Sequence, residues 1–479
     1  MDKKLGLGAL ICLIIGSMVG AGVFSLPQNI ADQAAPGAVA IGWLITGVGM
    51  LCLALVYQNL SIRRPDLDGG IFTYAQAGFG DFVGFNAAWG YWICQMLANV
   101  SYVVVVFSAI SYFTDSPGHV LFGDGNTLPA IVAGSVLMWA LTLLVLRGIH
   151  VAAMVNIVTT IAKLIPLIVF CIAVILASHL KEFSFDFWGS QTPGLGSVMD
   201  QVKTTMKVTL WVFIGIEGAV VVSGRARKRT DVGKATIIAF TGAIAIYIMV
   251  TLFSFGVMSQ PEIAQLKNPS TALILQKIVG PWGAILINIG LVISVLGALL
   301  SWITLTAEVP YIAGKQGLFP RCFQRENGNR APTVSLILSS CLVQLFLIIV
   351  LFKNSSYLAL VNITTSAALV PYVFSGAYGL KLVLSGETYD KDSARRRRAH
   401  LLIAGIATFY GVWLVYAAGI EYLLLATLMY FPGVLVYMWS NKEHGQRKLK
   451  MVEKVISVAL FGFAIIALRM VLNGQISLT

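Results

Sequence analysis

The chain has 479 residues, 57% of them in the AVILMFWYC set and only 11% charged, with a net charge of +12. Soluble domains carry roughly a quarter charged residues, so a water-facing globule of this size is excluded. Cys12, Cys52, Cys94, Cys171 and Cys341 sit inside apolar runs and Cys322 in a basic loop, so no disulfide framework is implied.

A membrane-crossing helix needs about 20 predominantly apolar residues. Candidate spans fall at 7–31, 38–61, 83–113, 128–147, 151–178, 201–223, 235–258, 282–313, 333–353, 357–384, 400–418, 420–439 and 454–472. Only Gly419-Ile420-Glu421 separates the eleventh from the twelfth. The first is too long for a cleavable signal, and no A-x-A-like site ends it. Basic residues crowd alternate loops: Arg63 and Arg64; Arg225, Arg227, Lys228 and Arg229; Arg321, Arg325 and Arg330; Arg395 to Arg398; Arg447, Lys448 and Lys450. With Lys3 and Lys4, this places the N-terminus and these loops on the cytoplasmic side, and Thr479 outside. The expected location is a cell membrane, a bacterial inner membrane first of all. The positive charge then reads as a topology determinant in a lipid bilayer, with no nucleic acid partner. The loops are too short for a catalytic domain. No P-loop, His/Cys metal cluster or Ser-His-Asp set is present, so neither an enzyme nor a cofactor or metal is expected. The classes left are transporter, channel and receptor.

The first span contains Gly16-Ser17-Met18-Val19-Gly20-Ala21-Gly22-Val23-Phe24. Glycine weakens a helix interior by about 1 kcal/mol relative to alanine. Gly16 and Gly20 could serve close helix packing. Alternatively, the segment unwinds and offers the N–H groups of its second half to a carboxylate. The sixth span repeats the signal with Trp211-Val212-Phe213-Ile214-Gly215-Ile216-Glu217-Gly218. Paired interruptions five spans apart point to an inverted repeat with a midplane site. One break would supply N–H groups to a carboxylate and the other carbonyls to an ammonium, which together suit an amino acid zwitterion. The expected division is 1–224 for the first repeat and the start of the second, 225–385 for its remainder, 386–440 for two peripheral spans and 441–479 for an additional one. Lys203 and Lys207, at i and i+4 near Asp200, should share a face as vestibule or headgroup contacts. The stretch 270–280 reads as a short external amphipathic helix.

Gly20-Ala21-Gly22-Val23-Phe24, Pro65-Asp66-Leu67-Asp68-Gly69-Gly70-Ile71-Phe72-Thr73-Tyr74 and Gly317-Leu318-Phe319-Pro320 resemble the amino acid–polyamine–organocation superfamily, over about residues 5 to 440. Trp211 to Glu217 and Ala307-Glu308-Val309-Pro310 look like its basic amino acid/polyamine antiporters, nearest to the arginine–ornithine branch. The resemblance implies an all-α polytopic protein with the five-plus-five inverted-repeat (LeuT-like) core, helices 1 and 6 interrupted, working by alternating access. The thirteenth span departs from the superfamily's twelve.

The family's arginine–agmatine antiporters imply a pocket. Ser17, Ala21 and Gly22 would meet the substrate carboxylate. The backbone of Trp211, Phe213 and Ile214 would take the α-amino group, with Trp211 as an aromatic gate. Trp302 would stack on the guanidinium, and Asn99 would hydrogen-bond it, with Cys94 and Gln95 on the neighbouring turn. Thr364 and Tyr372 would complete the wall and a second gate. The chemistry is sound: a planar, weakly hydrated guanidinium stacks on indole for about 0.5–2 kcal/mol, although lone tryptophans also anchor helices at interfaces. Glu217 reads as a gate carboxylate or as a buried helix-to-helix hydrogen bond. Lys163, deep in the fifth span, must pair, face water or lose its proton, since a charge there costs at least about 2.5 kcal/mol. It resembles the lysine of proton-coupled superfamily members whose ammonium stands where related carriers bind sodium, and the arginine–agmatine antiporters lack it. Lys163 is therefore either a fixed brace between the first and eighth helices or a proton carrier. The expected partners are cationic amino acids (arginine, ornithine, lysine or histidine) and, as is common in the family, a second copy of the chain. Rival readings are a proton-coupled symporter using Lys163, a lysine/cadaverine or histidine/histamine type exchanger, and a sensor that binds without transport.

Overall fold

Long apolar runs punctuated by glycine and proline fold here into helices alone; among the described residues there is no strand. The computed structural model describes residues 6–67, 70–147, 150–221, 226–353, 357–389, 393–445, 449–473 and 475. Lys3, Lys4, Asp68, Gly69, Arg225, Arg447, Lys448 and Thr479, used above for topology and resemblance, lie outside them.

The first crossing is split into α1 (Leu7–Met18) and α2 (Gly22–Ala31), bent by 41°. α3 (Pro36–Arg63) is the second, and α4 (Ile71–Phe79) is a short helix on the basic face. α5 (Asp81–Thr114), α6 (Leu128–Leu146) and α7 (His150–Ala177) follow as the third to fifth. After α8 (Leu180–Ser184), the sixth crossing is broken into α9 (Val198–Trp211) and α10 (Gly218–Val221). α11 (Arg229–Leu252) is the seventh. α12 (Gln260–Ala264) and α13 (Ser270–Val279) then lie on the opposite face, α13 matching the expected external helix. α14 (Pro281–Lys315), α15 (Thr333–Lys353) and the pair α16 (Tyr357–Ala367) and α17 (Leu369–Ser385) complete ten crossings. α18 (Ala394–Ala418), α19 (Ile420–Glu443) and α20 (Met451–Leu472) end the chain's helices. Eleven described helices are long and apolar enough to cross a membrane, and the bent first pair makes a twelfth. The sixth crossing is not among them, since α9 before the break has 14 residues.

Two departures from the expected spans have simple causes. The eleventh helix begins at Ala394 rather than near 400, because Ser393 caps it by accepting from the Arg396 N–H at 3.3 Å and the arginine run continues the helix. The tenth crossing is interrupted at Ala368. Pro371 has no N–H to give the carbonyl of Ala367 four residues earlier, and the Tyr430 hydroxyl donates to that carbonyl instead, at 2.9 Å. Gly90 leaves the room for this hydroxyl, since a Cβ there would collide with it.

α5 and α14 form the centre. Nearly every residue of α5 between Phe82 and Ala109 is buried. Gly290 and Gly297 of α14 let it close on Pro166 and Thr159 of α7, the close approach that small residues permit between membrane helices. α20 is peripheral. It leans on α19 through Phe461 and Phe431, with centroids 4.8 Å apart, and leaves most of its surface to lipid.

Candidate substrate site

At the first break the α1 ladder ends with Val19 N–H on the Ile15 carbonyl, and Gly20 N–H turns back to Met18 at 2.9 Å. The Gly16 carbonyl thereby loses its helical partner. The Lys163 ammonium takes it, with Nζ 2.8 Å from the oxygen. The first N–H groups of α2, including Gly22 and Val23, have no intrahelical acceptor. In the sixth crossing, residues 212–217 form successive turns. Gly215 sits at φ +109°, a conformation open to glycine, and a Cβ there would lie 2.8 Å from that of Ser17. The Ser17 hydroxyl lies 3.0 Å from both the Gly215 and the Ile14 carbonyls, so it ties the two breaks together.

The peptide groups of the second break are partly engaged. Tyr247 donates to the Val212 carbonyl at 2.8 Å, and the Trp211 and Phe213 carbonyls accept the N–H groups of Ile214 and Ile216. The Phe213 ring points elsewhere, into a cluster with Trp43, Phe240 and Tyr247 at centroid distances of 5.2 to 6.4 Å. Its part in a site is confined to its peptide.

On α5, Tyr91, Gln95, Asn99 and Tyr102 recur at i, i+4, i+8 and i+11, one helical face. Asn99 Nδ2 donates to Thr306 Oγ1 on α14 at 3.0 Å, one turn beyond Trp302. Among the described residues, both amide atoms of Gln95, Asn99 Oδ1 and the Trp302 indole N–H make no hydrogen bond of normal geometry, although Gln95 is 0% exposed and Asn99 and Trp302 1%. Buried polar atoms left unpaired are costly, so these call for a partner such as water or a polar ligand. Cys94 is buried beside them, while Thr364 is satisfied by its own helix, donating to the Leu360 carbonyl at 2.6 Å.

Two layers of contacts flank these side chains. Away from the basic face, Trp211 lies over Gly22, where a Cβ would come within 2.9 Å of the indole nitrogen. Its N–H donates to Tyr357 Oη at 3.2 Å, and its ring is 6.2 Å from that of Tyr102. Toward the basic face, the buried Glu217 carboxylate accepts from Tyr91, from Tyr372 at 2.7 Å and from the Gly215 N–H at 3.1 Å. It joins the third crossing, the sixth-span break and the tenth crossing. Tyr91 and Tyr102, which meet the two layers, are separated by about 16 Å of helix. Trp211 and Glu217 are both buried, at 5% and 0% exposed.

The sequence reading missed Tyr91, Tyr102, Thr306 and Tyr357. The first two share the register of Gln95 and Asn99, a pattern that could have revealed them. Lys203 and Lys207 do share a face. Lys203 pairs with Asp200 at 3.6 Å and lies 4.9 Å from the Tyr416 ring, and Lys207 lies 4.0 Å from the Tyr422 ring, so both are turned toward the eleventh and twelfth helices. On the basic face, Arg64 bonds Asp66 at 2.7 Å, meets the Tyr378 hydroxyl and stands 3.6 Å from Glu387. The Asp66 hydrogen bond is the main cause that raises its pKa above the ordinary guanidinium value.

Two interrupted crossings, the first and the sixth, joined at their breaks by Ser17, are the architecture of a membrane carrier. The chain belongs to the amino acid permease family, whose model matches residues 5–441 and stops short of α20. It is similar to the arginine/ornithine antiporter of Pseudomonas aeruginosa, 50% identical over 483 aligned residues covering 100% of this chain and 99% of that one. It is also similar to the putative arginine/ornithine antiporter of Escherichia coli K12, 49% identical over 93% of this chain and 94% of that protein. The crystal structure of MhsT in complex with L-phenylalanine shares the fold, with a TM-score of 0.62 at 16% identity, over 88% of this chain and 100% of that one. The superfamily resemblance and the LeuT-like fold expected from sequence are therefore borne out.

Proposed function

We propose that this protein exchanges arginine for ornithine across a bacterial inner membrane by alternating access, with its basic face and N-terminus in the cytoplasm. The observation that supports the reading is the set of buried polar atoms on Gln95 and Asn99 of α5 and Trp302 of the adjoining α14 that make no hydrogen bond of normal geometry. The N–H groups at Gly22 and Val23 would hold the substrate carboxylate, as helix N-termini hold anions. The Ile214 carbonyl would accept its ammonium. The indole face of Trp302 would stack on the guanidinium while Asn99 Oδ1 and Gln95 Oε1 accept from it. Acceptors without formal charge suit an exchanger, which must release what it binds. Ser17 and Thr364, already bonded within the protein, would shape the site rather than grip the ligand. The full-length likeness to a protein named an arginine/ornithine antiporter supports this substrate pair. Both substrates carry one net positive charge, so the exchange is electroneutral.

Counterflow in proteoliposomes tests the proposal. Arginine uptake is expected to require internal ornithine or arginine and to generate no membrane potential. Uptake into empty vesicles driven by a pH gradient would establish the symporter instead, and acceleration by decarboxylated amines with charge movement would establish the amine exchanger. Trp302→Leu should raise the Kd for arginine by about 2- to 30-fold, the loss of one cation–π contact, and lower the unfolding temperature, because the buried indole leaves a cavity. An unchanged arginine Kd would remove Trp302 from the pocket.

A further inference from the structure

A second group of buried polar atoms lies along α2, beyond the first break and away from the basic face. Ser25 and Asn29 stand four residues apart on one face of that helix, and Gly22 is three residues before Ser25. Both side chains are 0% exposed, and among the described residues neither Ser25 Oγ nor Asn29 Nδ2 makes a hydrogen bond of normal geometry. The loop between α12 and α13 meets them. Asn268 Nδ2 donates to Asn29 Oδ1 and to Gln28 Oε1, each at 3.1 Å, and Asn268 Oδ1 is left without a partner among the described residues.

The orientation of these amides follows from a chain of contacts. Gln28 Nε2 donates to the Ala264 carbonyl at 3.1 Å, so its oxygen is the atom that Asn268 meets. An amide that faces two oxygens must present its NH2 group to them, which leaves Asn268 Oδ1 over. Asn29 Oδ1 is one of those two oxygens, which leaves Asn29 Nδ2 over. An unused donor and an unused acceptor therefore remain on two residues bonded to each other. That pair is the complement of a carboxylate and an ammonium.

The pair is placed one step outward of the first break. At the break, a Cβ on Gly20 would lie 2.6 Å from the Tyr102 hydroxyl of α5. Further out, Ser108 of α5 donates to the Asn268 carbonyl at 2.7 Å. From Tyr102 to Ser108 is about 9 Å along α5, and from Gly22 to Asn29 about 10 Å along α2. α2 and α5 are thus tied at two matching levels, with Ser25 at an intermediate height. Lys267, beside Asn268, pairs with Asp124 at 3.7 Å, so its charge is offset where a cation would arrive.

We propose that Asn29, Asn268 and Ser25 form an outer subsite for an α-amino acid, which waits there before Trp211 admits it to the inner site. Asn29 Nδ2 donates to the carboxylate, Asn268 Oδ1 accepts from the α-ammonium, and the Ser25 hydroxyl receives the carboxylate as it moves inward. The subsite rests on the exchange reading above, and it uses only the groups that all the candidate substrates share. Selection among side chains is left to the inner site.

The test measures arginine exchange by the full chain in oriented proteoliposomes, with the half-saturating concentration read separately on each face. Asn29→Ala and Ser25→Ala are expected to raise that concentration on the α13 side by about fivefold and threefold, the loss of one hydrogen bond each, and to change it less than about twofold on the basic side. Ser25 Oγ has no partner to lose, and Asn268 keeps its bond to Gln28 when Asn29 is shortened, so both variants should fold. Tyr410→Phe removes another buried hydroxyl without a hydrogen bond, on α18, and should shift neither face. A rise confined to the α13 side in at least one of the two variants supports the subsite. Equal rises on both faces, an equal rise in Tyr410→Phe, or no rise in either variant overturns it and leaves these side chains as holders of water. Absence of exchange by the wild-type chain would overturn the exchange reading itself, and the subsite with it.

Discussion

Glu217→Ala is expected to slow exchange by at least about 100-fold, which corresponds to about 2.7 kcal/mol of lost stabilisation, and to lower the unfolding temperature. The carboxylate is the shared acceptor for the Tyr91 and Tyr372 hydroxyls and the Gly215 N–H. Removing it strands three donors in a dry interior, at about 1–3 kcal/mol each. Glu217→Gln keeps the side chain's shape but supplies one acceptor oxygen and adds two donors. It should recover much of the folding stability and little of the exchange rate, because the closed layer on the basic face still lacks an acceptor. Counterflow and thermal unfolding, measured on both variants, separate gating from packing. An alanine variant that exchanges at the wild-type rate would show that the Tyr91–Glu217–Tyr372 contact is packing alone.

Those hydroxyl partners also show what residue order could and could not disclose. The two breaks were legible because glycine and a charge in mid-hydrocarbon conflict with a continuous helix. The bend at residues 19–21 and the positive φ of Gly215 resolve that conflict locally. Trp302, Asn99 and Gln95 were singled out by a family likeness, and the fold adds that their polar atoms are buried. Tyr357 was not, because its bond to Trp211 joins residues 146 positions apart and neither neighbourhood carries a sign of the other. The split of the tenth crossing at Ala368 was hidden for a related reason. Pro371 was visible, but whether a proline breaks or only bends a helix depends on what satisfies the freed carbonyl, and that group is Tyr430, from the twelfth crossing. Lys203 and Lys207 illustrate the reverse case. Their shared face followed from spacing, whereas the aromatic rings they meet came from helices whose packing spacing cannot specify.

Lys163→Met should reduce exchange about tenfold or more, in a manner that does not depend on pH. The substitution keeps length and apolar volume but removes the ammonium from the Gly16 carbonyl, 2.8 Å away. That carbonyl is orphaned because the chain unwinds after it, with Gly20 N–H bonded to Met18 instead. A cation there completes the hydrogen bonding at the end of α1 and meets the negative end of its dipole. A hydrogen bond to a charged group contributes about 1.5–3 kcal/mol, and its loss should let the first break re-close as helix or wander. Either change displaces the Gly22 and Val23 peptide groups proposed to hold the substrate. The brace and the proton carrier diverge in what the wild-type protein does. A brace leaves exchange dependent on internal substrate and insensitive to an imposed pH gradient, whereas a carrier couples uptake to that gradient and loses the coupling in the methionine variant. Full-rate, pH-independent exchange by Lys163→Met would eliminate both roles and leave the lysine as a packing residue with a satisfied ammonium.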